Sequence, residues 1–437
     1  MELKFPKGFY WGSSTSAHQV EGNNRNDWSE WEKKNAERLT KEARNKWQDW
    51  QVEKFPEMLT PECYLSGRAC DHYNRYEEDF DIAKSLDHNA HRFSIEWSRV
   101  EPEEGKFDEE EIEHYRKVIL ALKERGLEPF VTLWHWTNPV WIRDIGGWEN
   151  KKTIEYFLRY VGKIAEELGK DIKFWIPINE PSITVAWGHV MGVFPPEKKN
   201  LFSAWKVMNN LISVCKKSYI LLHKKLGDDI RVGSTSLYHY YRPYNKYNPF
   251  DQLITKIIYY FGDIYTTNWI KNYGDFIGLD YYFTDIVKFS MSLRSSNAER
   301  KYPFVRLKNP NDWISDLGWY VYPEGIYRVL KILKERYNKP IYITENGIAD
   351  KEDKARGKFI KENIFWTHKA MSEGVDVKGY FYWSLLDNFE WDKGFWPRFG
   401  LVEVDYKTME RTVRKSALQY ARICKANAVH FYFKLLL

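Results

Sequence analysis

Eight short runs of β-branched and aromatic residues recur along the chain, and amphipathic, charge-rich stretches separate them. The runs are 8-GFYWGSSTSA-17, 90-AHRFSIEW-97, 128-EPFVTLWH-135, 173-KFWIPINE-180, 230-IRVGSTS-236, 275-DFIGLDYY-282, 339-KPIYITEN-346 and 377-VKGYFYWS-384. Helix-like segments lie between and after them at 108–126, 152–169, 201–226, 323–337, 356–374 and 411–426. Pro323 followed by Glu324 suits a helix start, because proline is tolerated in the first turn. Strand-length runs alternating with helical periodicity describe repeated βα units. Eight such units predict an α/β fold of one kind, a closed (β/α)8 (TIM) barrel with long βα loops over one face. A doubly wound parallel sheet is the alternative, but no G-x-G-x-x-G fingerprint follows the first strand. At 437 residues, length alone would allow two or three domains. No linker, low-complexity tract or shift in composition marks a boundary, so one barrel domain spanning 1–437 is expected.

In such barrels the active site sits at the C-terminal ends of the strands. The polar and aromatic residues fall there: His135, Asn179-Glu180, Tyr281-Tyr282, Glu345-Asn346 and Trp383. Glu180 ends 174-FWIPIN-179 and Glu345 ends 341-IYIT-344. An acid at the end of a buried strand is costly unless it is paired or used. One such glutamate reads as a salt bridge or a loop cap. Two of them, on the fourth and seventh strands, face each other across a barrel and suit glycoside cleavage. That reaction needs one carboxyl raised in pKa to protonate the leaving oxygen and one ionised carboxylate to attack or assist. The aromatic content, 17% with 20 Trp and 30 Tyr, agrees with a sugar site and equally with core packing.

The segments 178-INEP-181 and 343-ITENG-347 together resemble the paired signature of glycoside hydrolase family 1, which contains β-glucosidases, β-galactosidases and their relatives. The resemblance continues through 5-FPKGFYWGSSTSAHQVEG-22, 91-HRFSIEWSRV-100, 131-VTLWHWTNP-139, 382-YWSLLDNFEWDKGF-395 and 398-RFGLVEVDY-406, in that order along nearly the whole chain. It implies a retaining, exo-acting β-glycosidase with Glu180 as acid/base and Glu345 as nucleophile, their carboxyls about 5 Å apart. Asn179 matches the residue that holds the sugar 2-hydroxyl. Arg92 and Tyr282 match the groups that keep the nucleophile ionised and oriented, although Arg92 has a rival partner in Glu96. Gln19, His135, Trp136, Glu390 and Trp391 match the groups around the remaining hydroxyls, and Trp383 matches the platform beneath the ring. The resemblance implies no metal and no organic cofactor. The alternatives are a transglycosylating member of the same family and a catalytically silent sugar-binding barrel.

Two positions depart from the family pattern. Pro177 stands where Thr is more usual and removes a backbone donor, which predicts a slight bulge. Asp280 stands where Asn is usual, adding a negative charge beside the site or pairing with a cation. Glu390 would repel a phosphate, so an unphosphorylated sugar is expected. Intact Glu180 argues for O-glycosides over thioglucosides. Glucose, galactose, fucose and mannose are not separable from these residues. The opening 17-AHQVEGNNRNDWSEWE-32, 343-ITENGIAD-350 and only five glutamines match the archaeal and thermophilic branch, which implies thermostability.

The remaining features bound the partners. Lys and Arg number 66 against 61 Asp and Glu, a net +5, with the signs interleaved, so a nucleic-acid partner is not expected. Cys63, Cys70, Cys215 and Cys424 are scattered and match no zinc spacing, which reads as reduced thiols in a cytoplasmic protein. No secretory signal or membrane-length apolar stretch is visible. The apolar tail 429-VHFYFKLLL-437 reads as packing on the body or on a second copy of the chain, which leaves a homo-oligomer open. The polar loop 285–315 reads as shaping the entrance.

Overall fold

Each of the eight runs supplies one strand: β1 (Tyr10–Ser14), β2 (Ala90–Ser94), β3 (Glu128–Thr132), β4 (Phe174–Ile176), β5 (Arg231–Leu237), β6 (Phe276–Asp280), β7 (Ile341–Asn346) and β8 (Val377–Trp383). In the computed structural model, which describes residues 2–289 and 313–430, they close into a parallel barrel in chain order. The seam joins β8 to β1 in unbroken register from Gly379 opposite Tyr10 to Trp383 opposite Ser14. Helices α1 (His72–Ser85), α2 (Glu109–Glu124), α3 (Lys152–Leu168), α4 (Leu201–Leu226), α5 (Pro249–Tyr259), α6 (Glu324–Tyr337), α7 (Arg356–Ser372) and α8 (Lys415–Ala426) follow the strands. Asp108 caps α2 by accepting from the N–H groups of Glu110 and Glu111. The acidic first turn then lies at the positive end of the helix dipole.

Two expected elements are shorter in the structure. The fourth strand, expected over 173–180, stops at Ile176, because Pro177 has no N–H to give the ladder. Pairing resumes at Asn179, which bridges to Thr235. The last helix, expected over 411–426, begins at Lys415, and Arg411–Val413 instead pairs antiparallel with Val402–Val404. The β-branched pair Thr412-Val413 favours the strand. Arg414 is then held extended, with its guanidinium on both carboxylate oxygens of Asp387 at 2.8 Å.

An aromatic plug fills the N-terminal half of the barrel. Phe130, Phe174, Phe276, Tyr342 and Phe381 pack with Ala90 and Ile176. The Phe130 and Phe174 rings stack at 4.0 Å between centroids, and Phe381 meets Phe130 at 4.7 Å. Gly233 on β5 admits this layer, since a Cβ there would lie 2.4 Å from the Phe276 ring. A second core on the opposite face ties the loop after β1 to the loop after β8, joining Trp28 and Trp31 to Trp391, Trp396 and Phe399. Glu2–Lys4 pairs antiparallel with Ala428–His430. All four cysteines are buried and free. No helix among the described residues is long and apolar enough to cross a membrane. Residues 290–312 of the expected entrance loop and 431–437 of the tail lie outside the described residues.

Replacing a plug aromatic opens a cavity that the closed barrel cannot collapse. Phe174→Ala is expected to lower stability by about 3–5 kcal/mol, read as a fall in the urea or guanidinium midpoint without loss of barrel secondary structure.

Candidate active site

The site is built where the plug ends and the strands turn polar. Beyond Pro177, the Asn179 N–H donates to the Trp134 carbonyl at 2.9 Å and the Glu180 N–H donates to the Thr235 carbonyl at 3.2 Å. The continuation of β4 is thereby held between its neighbours. Glu180 (φ 41°), Trp136 (φ 77°) and Trp391 (φ 51°) all adopt left-handed backbone conformations. For residues with a Cβ this costs on the order of 1–3 kcal/mol each, and such strain concentrates at functional sites.

Arg92, on β2, is fully buried and fans across the barrel. Its guanidinium donates to Glu345 Oε1, to Asn179 Oδ1 at 2.5 Å and to Thr132 Oγ1 at 3.2 Å. The rival partner Glu96 is engaged elsewhere, accepting from Ser98 and Thr137. The second oxygen of Glu345 accepts from the Tyr282 hydroxyl at 2.5 Å. Glu345 is therefore held at both oxygens, by a cation and a neutral donor, which is how a buried carboxylate stays tolerable. Asn179 is fixed in turn: its Oδ1 also accepts from Thr235 at 2.7 Å, and its amide lies 3.1 Å from His135 Nε2. Burial holds His135 well below the ordinary histidine pKa, with Arg92 adding to the effect. A neutral ring whose Nε2 accepts from Asn179 carries its proton on Nδ1, a buried atom with no protein partner.

Glu180 contrasts with Glu345. It is 4% exposed, and its Oε1 has no hydrogen-bond partner. Oxygens of Glu180, Asp280 and Glu345 lie within 4.8 Å of one another. Burial pushes the Glu180 carboxyl well above its usual range, and the charges of Asp280 and Glu345 push it further. Asp280, at the end of β6, is raised by burial and then by Glu345; it accepts from Thr344 Oγ1 at 2.6 Å while its Oδ2 has no partner. Among the described residues these three carboxylates are the group close enough to share a cation. The Arg92 guanidinium already bonds one of them.

The remaining predicted residues line the adjoining wall. The Gln19 amide donates to the Phe389 carbonyl at 2.7 Å, to Asn388 Oδ1 at 3.0 Å and to Glu390 Oε2 at 3.4 Å, and its Oε1 accepts from Ser16 at 2.7 Å. Trp136 Nε1 donates to the Asn179 carbonyl at 3.2 Å, and its ring meets Trp391 at 4.8 Å. His135 lies near-parallel to both Trp383 and Trp391, each at 6.1 Å. Burial pushes Glu390 up to about 7, against the opposing charge of Lys393. Every residue predicted for the site thus falls in one continuous region. Sequence reasoning missed Thr235 and Thr344, whose hydroxyls orient Asn179 and Asp280. It also missed His18, which stacks on Trp391 at 5.4 Å and bonds Glu32 at 2.7 Å. Thr235 lies in no motif, and Thr344 and His18 lie inside 343-ITENG-347 and 5-FPKGFYWGSSTSAHQVEG-22 without standing out there; only barrel register shows what they face.

A sequence model described as Glycosyl hydrolase family 1 matches residues 1–266 and 261–429. The chain belongs to glycosyl hydrolase family 1. Beta-glucosidase A of Thermotoga maritima is 33% identical over 472 aligned positions, covering 98% of this chain and 99% of the relative. Among solved structures, the beta-glycosidase from Pyrococcus horikoshii is 38% identical with a TM-score of 0.85, covering 99% of this chain and 97% of that one. The beta-glucosidase from Thermotoga maritima in complex with glucoimidazole is 31% identical with a TM-score of 0.83, covering 98% and 100%. As a family 1 member spanning its relatives' full length, the chain is an O-glycoside hydrolase, built on the barrel expected from the strand pattern.

Removing the buried cation should be felt in the fold as well as the site. Arg92→Met leaves Glu345 and Asn179 facing an apolar side chain, and is expected to cost about 3–5 kcal/mol of stability, checked by denaturant unfolding.

Proposed function

We propose that the chain is a retaining, exo-acting β-glycosidase of the β-glucosidase type, taking unphosphorylated terminal sugars. One observation carries the reading: Glu345 is clamped at both oxygens, while Glu180, one of whose oxygens has no partner, brings its carboxyl within 4.8 Å of the Glu345 carboxylate. Retaining glycosidases hold their two carboxyls about 5–5.5 Å apart, whereas inverting ones leave roughly 6.5–9.5 Å for a water.

In this reading Glu180, its proton retained by burial, protonates the glycosidic oxygen as Glu345 attacks the anomeric carbon. Arg92 and Tyr282 keep Glu345 aimed, and the negative charge of Glu345 is lost as the ester forms. The aglycone leaves with the proton of Glu180, which then takes a proton from water as that water attacks the glycosyl-enzyme. Asn179 holds the 2-hydroxyl, Gln19, His135, Trp136, Glu390 and Trp391 bind the outer hydroxyls, and Trp383 lies beneath the ring. A buried carboxyl at Glu390 favours hydroxyl donors and opposes phosphate. The four buried free thiols support a reducing, cytoplasmic setting. The Thermotoga and Pyrococcus relatives support a melting temperature above the ordinary mesophilic range of about 45–65 °C.

The chemistry is tested with nitrophenyl β-glycosides of glucose, galactose, fucose, mannose and 6-phosphoglucose. Hydrolysis of at least one neutral sugar is expected, abolished in Glu345→Gln, with the phosphosugar poorest. Activity that survives Glu345→Gln contradicts the assignment. Binding should also depend on pH. Glu390 loses its charge as pH falls through about 7, so an inhibitor that donates two hydroxyls to it binds more weakly at pH 6 than at pH 8. The Glu390→Gln variant should bind more weakly throughout and show no such step.

A further inference from the structure

Asp280 is the one acidic residue of the site that the proposed chemistry leaves unused. It is fully buried at the end of β6, between Leu237 on β5 and Glu345 on β7 in strand register. One of its oxygens is satisfied by Thr344; the other, like the free oxygen of Glu180, is a buried acceptor without a donor. The two carboxyls approach within 4.8 Å of one another, and two such neighbours, each with a buried oxygen lacking a donor, are satisfied together if they share a single proton.

We propose that Glu180 and Asp280 share one proton, which makes Asp280 the positioning residue that keeps the acid of this site loaded until the aglycone departs. The inference rests on the reading of Glu180 as acid/base. The groups acting on the pair are Arg92 from β2, Tyr282 beyond β6, and Glu345 and Thr344 from β7. From β5 the neighbours are Thr235 and Leu237, neither of which titrates. Burial raises both Glu180 and Asp280, and Glu345 presses on each, so the site resists carrying three negative charges beside one guanidinium.

The arrangement balances through the reaction. In the free enzyme the pair carries one negative charge, Glu345 a second and Arg92 a positive one. As the glycosidic bond breaks, the proton leaves with the aglycone oxygen and the pair becomes doubly negative, while Glu345 becomes a neutral ester. The attacking water then returns one proton to the pair as the ester bond breaks and the Glu345 carboxylate is restored. Net charge in the buried site is the same at each stage. Asp280 makes Glu180 a stronger base after the first step, since the doubly charged pair is eager to recover its proton.

The test is the alkaline limb of kcat/KM against pH for two β-glucosides. One has an alkyl leaving group that must be protonated; the other is the 2,4-dinitrophenyl glucoside, which departs unaided. In Asp280→Asn the amide gives Glu180 a donor and removes a charge. The limb for the alkyl glucoside should therefore move down by about one pH unit or more, a tenfold loss above the limb. The dinitrophenyl profile should keep its limb. Thr344→Val withdraws the donor that favours ionised Asp280 and should move the alkyl limb upward. Its outcome decides the matter if Asp280→Asn does not fold. A residue of merely structural value would depress both substrates together without moving either limb, and that result overturns the proposal. So does a limb unmoved in both variants but lost in Glu180→Gln. A limb that persists in Glu180→Gln instead overturns the acid/base reading itself.

Discussion

Arg92 is the interaction on which the site depends. A guanidinium without exposed surface has a large desolvation cost, offset only if its donors all meet acceptors of opposite charge or strong dipole. Its donors reach carboxylate, amide and hydroxyl oxygens on β7, the continuation of β4, and β3. One cation therefore fixes the relative positions of three strand ends, and with them Glu345 and Asn179. Thr235 and His135 then complete the orientation of Asn179, so Glu345 and Asn179 are each held from more than one side.

The barrel makes such a buried network tolerable by separating its two halves. The aromatic plug of Phe130, Phe174, Phe276, Tyr342 and Phe381 supplies dispersion and hydrophobic burial without any polar side-chain atom beyond the tyrosine hydroxyl. The charged cluster sits above it, roofed by the loop core around Trp28, Trp391 and Trp396. Between two apolar layers the effective dielectric is low, and charges separated by a few ångströms govern one another's ionisation. Within that cluster three carboxyls of the same chemistry are met differently. Glu345 is met by a cation and a hydroxyl, Asp280 by one hydroxyl, and Glu180 by no donor on its Oε1.

Much of this was legible in the sequence, for identifiable reasons. Parallel strands buried on both faces write themselves as short apolar runs, so all eight strands could be placed to within a few residues. Glu180 and Glu345 stand out because an acid breaks such a run. Two errors were local: Pro177 ended β4 early, and the β-branched pair before Arg414 formed a strand where helix was expected. Thr235 and Thr344 were invisible as functional residues, because a hydroxyl in a strand reads as ordinary β propensity until register shows what it faces. Asp280 was noticed as a departure, but its consequence depends on which oxygens of Glu180 lack donors, a fact of three-dimensional placement.

The most direct test of double displacement through Glu345 is the anomeric form of the sugar first released from a β-glucoside, followed by proton NMR before mutarotation equilibrates it. Two inversions at the anomeric carbon predict the β-anomer. First release of the α-anomer would mean a single displacement by water, and would contradict a nucleophilic role for the clamped Glu345 carboxylate.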